Sequence, residues 1–149
     1  MSQEKKRILI VDDDKLILDG FRQILELEGY IVDTAETGRE AIEKSNANFY
    51  NLALVDIKLP DIEGTELLTA MRNTTPKMRK IIVTGYPSLQ NAVVSVNKDA
   101  DGYIIKPVLD INGLLNVIKE QLKKQEEARQ YSEKKVAEYI ESRMRNEGA

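Results

Sequence analysis

Leu52-Ala53-Leu54-Val55-Asp56-Ile57-Lys58-Leu59-Pro60 is an apolar run that ends abruptly in a carboxylate and is closed soon after by proline. Pro60 cannot continue a regular strand or helix, so the run reads as a short buried strand that delivers Asp56 to an edge. A carboxylate buried without a partner costs several kcal/mol. Asp56 is therefore expected at a rim that solvent, a cation or a substrate can reach. Taken alone, a turn aspartate capping the next element explains it equally well. The surrounding chain decides between the two.

Upstream, Ile8-Leu9-Ile10-Val11 is a second continuous apolar run, and it ends in Asp12-Asp13-Asp14. From Lys15 to Glu28, Ile17, Phe21, Ile24 and Leu25 recur at helical spacing, with Asp14 placed as N-cap and Gly29 as the stop. Ile31–Ala35 reads as a half-polar strand, and Gly38–Asn46 as a helix packing through Ala41 and Ile42. Downstream of Pro60 and Gly64, a helix carries Leu67, Leu68 and Met71 until Pro76 stops it. Lys80–Thr84 is another buried strand, and Ser88–Asn97 a weak helix through Ala92, Val93 and Val96. Gly102–Ile105 is a last strand, running into Lys106-Pro107. Asp110 then caps a helix bearing Ile111, Leu114, Leu115, Ile118 and Leu122. Apolar strands alternating with helices predict an α/β fold: a doubly wound, five-stranded parallel sheet with five helices and right-handed connections. The expected strand order is 2-1-3-4-5, followed by a C-terminal helical extension.

Composition narrows the chemistry. The 149 residues include 22 basic and 25 acidic side chains, a net charge of −3, so no general attraction to nucleic acid or anionic lipid is expected. The apolar runs are too short to cross a membrane, and no signal segment follows the charged start, which predicts a cytoplasmic protein. Cysteine and histidine are absent, excluding disulfides, thiolate or imidazole metal sites, and Ser-His or Cys-His nucleophiles. Chemistry must run on carboxylates, hydroxyls and lysines.

In a parallel sheet, the residues closing each strand emerge on one edge. Here they are Asp12 and Asp13, Asp56, Thr84 and Lys106. With the first and third strands flanking the switch point, three carboxylates converge, and such a cluster calls for a cation. An all-oxygen site with few protein ligands suits Mg²⁺ or Mn²⁺, and Mg²⁺ pairs naturally with phosphate. Lys106 can neutralise a phosphate oxygen and the Thr84 hydroxyl can donate to another. The remaining nucleophile is an aspartyl carboxylate, forming an acyl phosphate. Lys106 must also fold back over the site from a strand end, for which a cis Lys106-Pro107 peptide is expected.

Val11-Asp12-Asp13-Asp14, Val55 to Gly64, Val83-Thr84-Gly85 and Tyr103-Ile104-Ile105-Lys106-Pro107, in this order at strand ends, resemble the receiver domains of two-component response regulators. The resemblance covers about residues 7 to 122. It implies Asp56 as phospho-acceptor, Asp13 and Asp56 as direct Mg²⁺ ligands, Asp12 as a ligand through water, and the Lys58 backbone carbonyl as a further ligand. It also implies Thr84 and Tyr103 as a switch pair, Lys58 and Tyr86 as neighbours that influence phosphoryl lifetime, and a sensor histidine kinase or phosphotransfer protein as donor.

Two other readings stay open. Asp12-x-Asp14 after a buried strand also resembles the nucleophile motif of haloacid-dehalogenase-type phosphatases, although that leaves Asp13 and Asp56 without roles. A structural assembly protein driven by its last helix is the third. The expected division is a receiver domain over 1–122 and a helical extension over 123–149. The extension is rich in helix formers and predicts helix to about Asn146, with Gln125, Arg129 and Ser132 interrupting the apolar stripe. Ala128, Tyr131, Val136, Ile140 and Met144 form a patchy apolar face, which predicts docking on a second copy or on another protein.

Overall fold

Residues 4–71, 74, 76–85, 100–106, 108 and 110–147 are described by the computed structural model. Strands β1 (Arg7–Val11), β2 (Ile31–Ala35), β3 (Leu52–Val55), β4 (Arg79–Thr84) and β5 (Gly102–Ile105) form one parallel sheet in the order β2-β1-β3-β4-β5. Side chains alternate across a strand, so each apolar run splits between two cores. Ile8, Ile10, Leu52, Leu54, Ile81 and Val83 face α1 (Lys15–Leu27) and the terminal helix (Ile111–Glu147). Leu9, Val11, Ala53, Val55 and Ile82 face the other way, toward α2 (Gly38–Ala47) and α3 (Gly64–Ala70). Val11 is in register with both Ala35 and Val55, and this sets Asp12 beside Asp56 one residue farther on.

The helix boundaries follow local chemistry. Asp14 accepts a hydrogen bond from the Leu16 amide at the start of α1. Gly29, at φ 93, closes that helix, a conformation other L-residues seldom adopt. Leu18 is buried with Leu25, whereas Ile17, Phe21 and Ile24 are half-buried, so the inward stripe sits slightly round from the expected one. The α3 helix ends at Ala70, short of the stop expected at Pro76. Met71 leaves it in extended conformation and stays 2% exposed in the core. Beyond it the sequence turns to Asn73-Thr74-Thr75, residues that lose more in a helix than straight-chain ones do. The expected helix Ser88–Asn97, Tyr86, and the Lys106-Pro107 peptide lie outside the described residues.

The terminal helix runs unbroken for 37 residues, roughly 55 Å at the usual rise. Asp110 accepts from the Gly113 amide at its start, and Leu114, Leu115, Ile118 and Leu122 are buried on the sheet. Gln121 and Gln125 are buried too. Gln125 donates to the carbonyls of Asn51 (2.9 Å) and Lys77 (2.7 Å) and accepts from the Asn51 side chain. Gln121 accepts from the Arg79 guanidinium and donates to the Asp101 carbonyl. Gln125, the first residue of the expected polar break, thus joins Gln121 in satisfying backbone at the lower edge of the sheet. Among the described residues, no helix is long and apolar enough to cross a membrane.

Candidate functional site

At the upper edge of the sheet, β1 carries Asp12 and Asp13, β3 carries Asp56, and β5 carries Lys106. Asp12 and Asp56 are 3% and 7% exposed, while Asp13 is open to solvent. Carboxylate oxygens of the three lie within 4.8 Å of one another. At that spacing each anionic pair repels by roughly 3 to 4 kcal/mol at an effective dielectric of 20. The Lys106 ammonium answers part of this, donating to Asp12 Oδ2 at 2.5 Å and to Asp56 Oδ2 at 3.3 Å. Burial pushes the Asp56 carboxyl up; Lys106 pulls it down and Asp12 pushes it up again, leaving it above the ordinary value. For Lys106, burial alone would lower the ammonium, but the hydrogen bond and charge of Asp12, reinforced by Asp56, hold it above the ordinary value.

Backbone fixes these groups in place. The Asp56 amide donates to the Val11 carbonyl, the Asp14 amide to Asp12 Oδ1, and the Lys58 amide to Asp56 Oδ1 at 3.3 Å. Thr84 ends β4 fully buried, and its carbonyl accepts from the Lys106 amide at 2.7 Å. Tyr103 lies on β5 in register with Ile82 and packs on the α2–α3 side. Its hydroxyl is buried and has no hydrogen-bond partner among the described residues.

The loop after Asp56 is pinned at two points that sequence reasoning did not single out. Lys58 and Glu63 form an antiparallel bridge, and the Gly64 amide donates to the Ile57 carbonyl at 2.6 Å. A side chain at Gly64 would put its Cβ 2.1 Å from the Asp56 carbonyl oxygen. Asp61 reaches across to the start of α2, accepting from the amides of Gly38 (2.8 Å) and Arg39 (2.9 Å). The Arg39 amide, then that of Gly38, holds the Asp61 carboxyl below its ordinary value of 3.8. A depressed carboxylate contributes stability above the unfolded value and loses it as pH falls through the folded one. The difference in urea midpoint between wild type and Asp61→Ala is therefore expected to be largest above pH 3.8 and to shrink below it. A difference that stays constant into acid would contradict this.

The donor set fits a hard divalent cation. Three carboxylates converge at a rim, Asp13 is solvent-accessible, and no sulfur or imidazole competes. Among the described residues this is the one such acidic group of three.

Comparison with known proteins agrees with this geometry. The sequence model of the family described as "Response regulator receiver domain" matches residues 8–119. The alginate biosynthesis transcriptional regulatory protein AlgB of Pseudomonas aeruginosa is 37% identical over 106 residues, 71% of this chain and 24% of that protein. The chain thus spans about a quarter of the length of that relative. The crystal structure of a CheY-like response regulator receiver domain protein from Methanospirillum hungatei JF-1 superposes with a TM-score of 0.79 at 55% identity, covering 84% of this chain and 99% of that one. The response regulator TrrA of Thermotoga maritima, solved in complex with Mg²⁺ and BeF, superposes at 0.69 with 33% identity, covering 78% of this chain and 98% of that one.

Proposed function

Because this chain belongs to the response regulator receiver family, we propose that it is a phosphorylation-driven switch in which Asp56 is the phospho-acceptor. The observation that carries this is the Lys106 ammonium bridging Asp12 and Asp56 beside Asp13, at the ends of the adjacent strands β1 and β3 and of the edge strand β5. A carboxylate oxygen of Asp56 attacks phosphorus. The bond from phosphorus to the donor's imidazole nitrogen breaks, and an aspartyl phosphate and a free histidine result. The donor is a sensor histidine kinase or a phosphotransfer protein, and the setting is the cytoplasm.

Asp13 and Asp56, with the Lys58 carbonyl and with Asp12 through water, would hold Mg²⁺ or Mn²⁺. When bound, the cation supplies neutralisation of phosphoryl charge. Lys106 leaves its carboxylate partners to pair with a phosphoryl oxygen, and Thr84 donates its hydroxyl to another. Tyr103 reports the change. Burying a hydroxyl without a partner costs roughly 1 to 3 kcal/mol, so a ring position in which the Tyr103 hydroxyl is paired is favoured by that amount.

The phosphatase alternative is disfavoured by Asp14. The second carboxylate of its motif is here turned to the Leu16 amide as a helix cap. With acetyl phosphate and Mg²⁺, the protein is expected to retain one phosphoryl equivalent and to show no sustained turnover of a small phosphomonoester. Steady turnover without a retained equivalent would favour the phosphatase.

A further inference from the structure

From residue 130 onward the terminal helix is exposed, and four of its five large exposed apolar residues gather on one side, with Tyr131 on the opposite side under Lys135. Val136, Tyr139, Ile140 and Met144 are 52 to 66% exposed. At about 100° per residue they fall on the face that, nearer the domain, carries Leu115, Ile118, Leu122 and Gln125 into the core. The core-facing stripe continues past the sheet, where none of the described residues covers it.

Along that face Arg129, Glu133, Val136, Ile140, Arg143 and Glu147 alternate steps of four and three residues, the spacing of one seam of a two-helix pair. Their character runs basic, acidic, apolar, apolar, basic, acidic. A second copy laid in register and parallel would oppose like charges at every charged position. Laid antiparallel about Glu138, it sets the partner's Glu147 against Arg129, the partner's Arg143 against Glu133, and the partner's Ile140 against Val136. Tyr139 then flanks the two-fold from both sides.

We propose that two copies of this chain associate antiparallel through residues 129–147. In a single copy, Arg129 pairs, among the described residues, with Glu126 and Glu133 of its own helix. A groove at the domain base, between Pro76 and Lys77 on one side and Ser132 and Glu133 on the other, leaves room for the partner's helix end. The seam spans roughly 28 Å, so the dimer is reversible and concentration-dependent. It does not depend on phosphoryl chemistry and places the two phosphorylation sites at opposite ends of the pair.

Sedimentation of the full chain across a concentration series tests this, together with two charge variants. Arg129→Glu with Arg143→Glu makes the seam wholly acidic, and Glu133→Arg with Glu147→Arg makes it wholly basic. Each variant alone is expected to be monomeric where wild type dimerises, and an equimolar mixture of the two to dimerise again. The chain has no cysteine, so orientation can be read from single thiols. Arg129→Cys and Glu147→Cys are expected to cross-link when mixed and to resist self-cross-linking when alone. A wild type that stays monomeric throughout would overturn the proposal and leave the face to a different protein. Charge variants as dimeric as wild type, or Arg129→Cys cross-linking preferentially to itself, would overturn it equally.

Discussion

Lys106→Met is expected to cost roughly 3 kcal/mol of folding stability at neutral pH without divalent cation, the lower end of the range for breaking a buried pair. The substitution leaves Asp12 and Asp56 close together, buried and without their shared cation. A lysine held above its ordinary value of 10.5 contributes fully below that pH and loses its contribution only as pH rises through the folded value, so at neutral pH the whole effect is present. Loss of Lys106 also removes the charge that pulls Asp56 down, so the deficit should shrink in acid as the carboxylates protonate. Mg²⁺ should recover part of it, because the cation replaces the missing charge at the same oxygens. Urea unfolding of both proteins at neutral and acidic pH, with and without Mg²⁺, reads all three effects. Equal midpoints at neutral pH without metal would show that the ammonium is not what holds these carboxylates together.

Gly64→Ala is the second large effect. Its Cβ would sit 2.1 Å from the Asp56 carbonyl oxygen and 2.7 Å from Ile57 Cα, backbone atoms that cannot rotate away. A loss of roughly 2 to 3 kcal/mol is expected, the upper part of the overpacking range. Because the displaced backbone belongs to Asp56, phosphoryl uptake should slow as well. Gly20→Ala is the control. It lies within α1, and an added Cβ there meets nothing within 4 Å. That change should stabilise the protein by up to about 1 kcal/mol through helix propensity alone. Gly64→Ala matching wild type in both stability and uptake would mean that the loop accommodates the side chain.

Much of this was legible in the residues, for identifiable reasons. The three central apolar runs are short and buried on both faces, so their pattern survives tertiary detail, while the half-polar second strand and the part-buried fifth take the two edges of the sheet. The convergence of the candidate residues was legible because a parallel sheet delivers its strand ends to one edge, and Asp12, Asp13, Asp56 and Lys106 do meet there. Long-range backbone contacts were not legible. Nothing in the neighbourhood of Asp61 announces that its carboxylate caps a helix 22 residues upstream. Gly64 reads as an ordinary turn glycine until the Asp56 carbonyl is seen against it. Gln125 reads as a break in an apolar stripe and Gln121 does not stand out at all, because their partners include main-chain groups that pattern cannot reveal. The end of α3 was misplaced because Pro76 is a stronger stop signal than the residues that in fact release the helix.

The central claim is that Asp56, among three carboxylates crowded at one rim, receives the phosphoryl group. It is tested most directly by treating the protein with acetyl phosphate and Mg²⁺, reducing the acyl phosphate with borohydride, and identifying the altered residue by peptide mass spectrometry. The expected result is modification at Asp56 alone, and no uptake at all by Asp56→Asn. Modification at Asp12 or Asp13, or undiminished uptake by Asp56→Asn, would contradict the account.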